Sequence, residues 1–151
     1  MDGDEPANIR AAMDAAWRDH QHTRDQTWKA LQAEFVIAAG LIGVNWELQN
    51  SAFAVFSCVL LSFVALCGIQ ITLRHRNKVE LLKFEHILNC EEALGLHRPS
   101  LISKVKMPKE IRFFWDVVNP WKHNTALFIL RMHCAVFLFA VLFLVTRVVA
   151  D

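Results

Sequence analysis

The sequence predicts an all-α, polytopic membrane protein with three transmembrane helices and long cytosolic helical extensions, on three observations. Hydrophobic residues make up 54% of the 151 and charged ones 21%, a combination that requires greasy and charged stretches to be segregated along the chain. Residues 48–73 hold no Asp, Glu, Lys, Arg or His, and 52–73 are almost wholly apolar, the length of about 20 residues that a bilayer asks of a helix. A second run, 125–149, is equally long and is interrupted only by Arg131, His133 and Arg147.

A third and weaker span, 31–50, is marked by its tryptophans. Trp28 and Trp46 lie 18 residues apart, which a helix rising about 1.5 Å per residue converts to about 27 Å, the hydrocarbon thickness. Tryptophan favours both interfaces, so these two are expected as anchors at either end.

Taken in order, residues 1–30 are expected as a cytosolic helix, with Pro6 near its start and Ile9, Met13, Ala16 and Trp17 at helical spacing. No Gly or further Pro follows until Gly40, so one helix of over 40 residues is expected to run on through the first span. The connection "WELQNS" leads to the second span, 52–73, which flows into "RHRNKVELLKFEHILNCEEALGL". There Leu81, Phe84, Ile87 and Leu88 share a face, and Gly95 followed by Leu96 has the form of a Schellman stop. Residues 74–124 complete the cytosolic part: a loop punctuated by Pro99 and Pro108, then "PKEIRFFWDVV", an amphipathic interfacial piece anchored by Trp115 and Trp121. Asn119-Pro120 is expected to cap the last helix, which carries the third span, 125–150.

Lys and Arg set the expected orientation. Four precede the first span and ten lie between the second and third, whereas "WELQNS" has none and the far end has only Arg147. The N-terminus and long loop are thus expected in the cytoplasm and the C-terminus across the membrane, in the cell inner (plasma) membrane. The acidic "MDGDEP" start, with no apolar run behind it, predicts no cleaved signal peptide. Cys58, Cys67, Cys90 and Cys134 show no CxxC or Cys/His ligand spacing and are expected to be reduced packing residues.

Polar residues inside the spans are the candidate functional positions: Glu34, Asn45, Gln70, Arg131 and His133. At 100° per residue, His20, Arg24, Thr27, Glu34, Ala38 and Asn45 fall within a quarter turn of one another. That stripe lines a water-filled path or a subunit interface, or else Glu34 snorkels or is satisfied by a neighbour. By depth, Gln70 and Arg131 are its candidate partners, with Arg131 the expected counter-charge. Arg131 and His133 stand about 200° apart on their helix, which asks for two covers and favours an oligomer. Ala39 and Gly43 form a small-xxx-small pair that permits close helix approach.

Seven histidines include "DHQH" at 19–22, yet His20 and His22 point to different sides of a helix and HxxxH and HExxH are absent. Neither metal nor cofactor is expected. GxSxG, P-loop and GxGxxG patterns are also absent, so no enzymatic activity is expected, a membrane-embedded metal-dependent enzyme using His20, His22 and His86 being the outside alternative. Ten Lys or Arg against six acids between the second and third spans suits membrane lipids better than nucleic acid.

An N-terminal cytosolic helix, a two-span hairpin and "RHRNKVELLKFEHILNCEEALGL" continuing into the cytosol together resemble the SLATT-like small bacterial membrane proteins over about residues 10–96. The resemblance implies an oligomeric pore serving as a defence effector; it carries over no functional residues, and the third span departs from the simplest SLATT-like layout. The expected function is therefore a self-assembling inner-membrane protein, with an accessory subunit of a larger membrane complex as the alternative.

Overall fold

The computed structural model describes residues 5–95, 111–119, 121 and 124–150. Among these every element is helical: α1 (Glu5–Leu48), α2 (Ser51–Arg74), a π-helical segment (His75–Glu80), α3 (Leu81–Ala93), α4 (Phe113–Val118) and α5 (Thr125–Ala150). Three stretches are long and apolar enough to cross a membrane, within Glu5–Leu48, Ser51–Ala93 and Thr125–Thr146.

α1 runs unbroken for 44 residues. Pro6 occupies its first turn, where a missing N–H costs no hydrogen bond. The helix stops because Gln49 turns left-handed, with φ 47, while its N–H still donates to the Asn45 carbonyl at 3.1 Å. Asn50 then starts the next helix: its Oδ1 accepts from the N–H groups of Ala52 at 2.9 Å and Phe53 at 3.2 Å. These are two of the donors that a helix start leaves without partners.

From Ser51 the helix continues through the π segment into α3, to Ala93. An Arg76–Glu80 ion pair at 2.7 Å lies along the π segment. Gly95, with φ 67, ends the run, preceded by a 3.0 Å bond from the Leu94 N–H to the Cys90 carbonyl. The left-handed glycine is the expected stop; Leu96 and the loop with Pro99 and Pro108 lie outside the described residues.

The last helix is capped differently from the expectation. Asn124, not Asn119, supplies the cap, its Oδ1 accepting from the Leu127 N–H at 2.8 Å. A residue before proline is biased towards extended backbone, and Asn119 takes that alternative, with φ −76 and ψ 107 at the end of α4. Its Oδ1 accepts instead from the Trp121 N–H at 3.0 Å, an Asx turn. Pro120 lies outside the described residues.

The chain divides into two compact units, residues 1–25 with 74–111 and residues 26–73 with 112–151. In the first, Trp17 of α1 meets His20 edge-on at 5.7 Å and Phe84 of α3 at 6.4 Å. Lys83 forms an ion pair with Asp19 and donates to Thr23 Oγ1 at 3.2 Å. The hydrogen bond from Lys83 to Asp19 and the ammonium charge hold the Asp19 carboxyl below the usual carboxylate range. Of the predicted apolar face of α3, Ile87 is fully buried, and Leu81, Phe84 and Leu88 are half-buried.

The second unit brings together the second half of α1, α2, α4 and α5. Ala38, Leu61, Ala140 and Leu144 form its apolar centre, with Ile37, Leu41, Ile42, Cys58, Val136 and Phe137 around them. Trp28 and Trp46 pack against Phe128 and Phe143 of α5 at 6.2 and 6.1 Å. Polarity is reversed relative to a water-exposed fold. Phe35, Phe63, Leu66 and Phe139 are more than three-fifths exposed, while Glu34, Asn45, Ser57, Thr72 and His133 are buried inside.

Candidate functional site

The second unit buries Thr27, Leu31, Glu34, Ala38 and Asn45 of α1. Their separations of 4, 3, 4 and 7 residues keep them on one side of a helix. This is the expected polar stripe within the spans, and it faces the bundle interior. His20 belongs to the other unit and is buried there, and Arg24 is exposed.

Glu34 is 1% exposed and its Oε2 is hydrogen-bonded to Nδ1 of His133, itself 0% exposed on α5. The imidazole lies against Gly68 of α2. A Cβ built on Gly68 would stand 2.8 Å from Nδ1 and 3.2 Å from Nε2 of that ring, so only glycine leaves the ring its place. Three helices thus meet at one point: a carboxylate from α1, an imidazole from α5 and a missing side chain on α2. Glu34 Oε1 and His133 Nε2 are buried without hydrogen-bond partners. The one hydrogen bond joins an acid to a base, a pairing that relieves part of the cost of burying either alone.

Arg131, the expected counter-charge of Glu34, goes elsewhere. Its Nε donates to the Val117 carbonyl at 3.0 Å and its Nη2 to the Asn119 carbonyl at 2.5 Å, both at the end of α4. At about 200° from His133 on the same helix, Arg131 cannot face α1 when His133 does. It turns to carbonyls that a helix end leaves without amide partners. The second cover that α5 requires is therefore supplied by α4 of the same chain, and the two-cover argument for an oligomer falls away.

Among the other candidates, Asn45 is buried with its Oδ1 unpartnered, and Gln70 is exposed on α2. Of the expected anchors, Trp28 is half-buried and Trp46, Trp115 and Trp121 are exposed. The histidines of the enzymatic alternative are dispersed: His20 is buried, His22 and His86 are exposed, and His86 Nε2 lies 3.9 Å from Cys90 Sγ. No three His, Cys, Asp or Glu side chains converge among the described residues.

Sequence reasoning named Glu34 and His133 separately and missed their pairing. A pairing signal was present: Gly68 is the one residue in the second span with no side chain, and an aromatic ring from another span needs such a gap. No family model matches the chain, and neither a curated protein nor a solved structure matches it.

Proposed function

We propose that this chain is a three-span inner-membrane protein that self-assembles and performs no chemical conversion. The observation that carries the membrane part is the reversed polarity of the second unit. Large apolar side chains cover its outside, while its acid, its imidazole and its hydroxyls are paired within. In water that outside is a continuous apolar surface without cover; in hydrocarbon it is the solvated face. The Lys and Arg distribution supports an orientation with the N-terminus and the 74–124 region in the cytoplasm and the C-terminus opposite.

Self-assembly rests on the outward side of α1. Ala39, Gly40 and Gly43 are exposed, and nothing lies within 4 Å of where a Cβ on either glycine would stand. A small-residue face left open by the chain's own helices suits the close approach of a second copy. Glu34 and His133 satisfy each other within one chain, so neither is offered as the lining of a path between copies; conduction is the reading that the SLATT-like layout would add.

Mass measurement of the protein in nanodiscs tests the proposal. Several copies of this chain alone, reduced to one by Gly43→Leu, is the expected result. A single copy at every protein concentration overturns self-assembly, and a stoichiometric foreign protein replaces it with the accessory-subunit reading. Ion flux through liposomes holding the assembled protein, lost in Gly43→Leu, would establish conduction. For topology, a cysteine at Asn50 is expected to be labelled only from the non-cytoplasmic side, and labelling only from the cytoplasm overturns the orientation.

A further inference from the structure

The first unit contains a second group of buried polar side chains, apart from Glu34 and His133. His20 of α1 and His75 and Arg76 of the π segment are 8%, 7% and 7% exposed. The Nδ1 atoms of both histidines and the Nε of Arg76 are buried without hydrogen-bond partners. Two imidazoles stripped of water and left unsatisfied are costly to keep in a helical bundle. His75 and Arg76 stand in a stretch of i→i+5 helix, a geometry that is rare in helices and frequent at functional sites.

We propose that His20 and His75 form a proton-operated latch, closed while both imidazoles are neutral and opened by proton uptake, which releases α3 and the π segment from the N-terminal part of α1. The charges facing the pair explain the direction. Arg24 on α1, Arg76 on the π segment and Lys83 on α3 act on His20, while Glu80 is the sole anion acting on either imidazole. Arg76 and Glu80 already neutralise each other, as do Lys83 and Asp19. A proton added to either imidazole therefore creates a buried positive charge with no free anion beside it.

Burial, the largest cause at both residues, pushes each imidazole below the ordinary histidine range, and the neighbouring cations add to the effect against Glu80. The sign follows from linkage. The open chain binds protons near the ordinary value of about 6.5 and the closed unit binds them only at lower pH, so the stabilisation is complete above about pH 6.5. It drains away as pH falls from there through the closed-state values. Each proton taken up shifts the opening equilibrium by at most tenfold per pH unit in that window.

The fastenings that must part are α1 to α3, through Lys83 with Asp19 and Thr23 and through Trp17 on Phe84. The other imidazoles beside these fastenings are His22 of α1, which acts on Asp19, and His86 of α3, which lines a groove with Asp19 and Lys83. The Asn77 side chain, bonded both ways to the Ile111 backbone at 2.8 and 2.9 Å, holds the π segment by amide contacts that pH does not touch.

Hydrogen–deuterium exchange of the whole protein in nanodiscs, corrected for the intrinsic pH dependence of amide exchange, provides the test. Between pH 7.5 and 5.0, protection of residues 8–24 and 81–93 is expected to fall by at least tenfold, while 52–72 and 126–146 stay unchanged. His20→Phe with His75→Phe is expected to flatten the response and His86→Gln to leave it intact. Because the double variant risks misfolding, ring NMR of the unaltered protein is the second measurement: two histidines titrating below the others, in step with the loss of protection, are expected. Protection that is constant over this range, or a pH response that survives in the folded double variant, overturns the latch.

Discussion

Glu34 and His133 provide the sharpest test of the span architecture, since each is sealed from solvent and each is the other's only hydrogen-bond partner among the described residues. Replacing Glu34 by Leu strands an imidazole in an apolar bundle; replacing His133 by Leu strands a carboxyl group. Leaving a buried polar group unsatisfied costs about 1–3 kcal/mol. Removing both partners leaves nothing stranded, and apolar residues of similar volume in place of a buried pair are often neutral. Hydrogen bonds between membrane helices have measured couplings of about 0.6 kcal/mol on average and about 1.7 at most. A pair that can be charged and is fully buried belongs at the upper end, so a coupling of about 1.5 kcal/mol is expected, roughly tenfold in the unfolding equilibrium. Reversible unfolding in mixed detergent and dodecyl sulfate micelles, applied to the parent, both single variants and Glu34→Leu with His133→Leu, measures it. The same cycle with Arg131→Leu in place of the His133 change should be additive within about 0.5 kcal/mol, because the Arg131 guanidinium donates to the Val117 and Asn119 carbonyls at the end of α4. Additivity in the His133 cycle, or coupling in the Arg131 cycle, would refute the pairing and return Arg131 to the role that depth alone suggested.

The socket on α2 makes a second test: Gly68→Ala forces the His133 ring off Glu34 and is expected to cost about 1–3 kcal/mol in the same assay. Gln49→Gly removes a side chain from a left-handed position and should raise stability by about 1 kcal/mol, a gain that a neutral or negative result would contradict. Asn124→Ala should lose about 1 kcal/mol as a lost helix cap, while Asn119→Ala, at an exposed turn, should lose less; the reverse order would restore Asn119 as the cap.

Much of this fold was legible in the sequence because it depends on properties that act locally. Apolar runs of 20 or more residues are helices in any apolar surrounding, since each backbone group must be satisfied within its own segment. Pro6 at a helix start, an uninterrupted stretch to Gly40 and the left-handed Gly95 determined where helices begin and end. The period of the polar stripe determined that Thr27, Glu34, Ala38 and Asn45 share a face.

What the sequence left open is which partner each polar residue meets, because that is a matter of rotation and depth among helices far apart in the chain. Glu34 and His133 are 99 positions apart, and depth alone pointed to Arg131. Rotation of α5 decided between them, the gap at Gly68 made room for the winner, and the carbonyls ending α4 absorbed the loser. The cap of α5 was misplaced for a related reason: Asn119-Pro120 has the local form of a helix start, and the extended backbone of Asn119 at the end of α4 leaves the cap to Asn124. Local rules determine which groups need a partner, and tertiary packing decides which partner arrives.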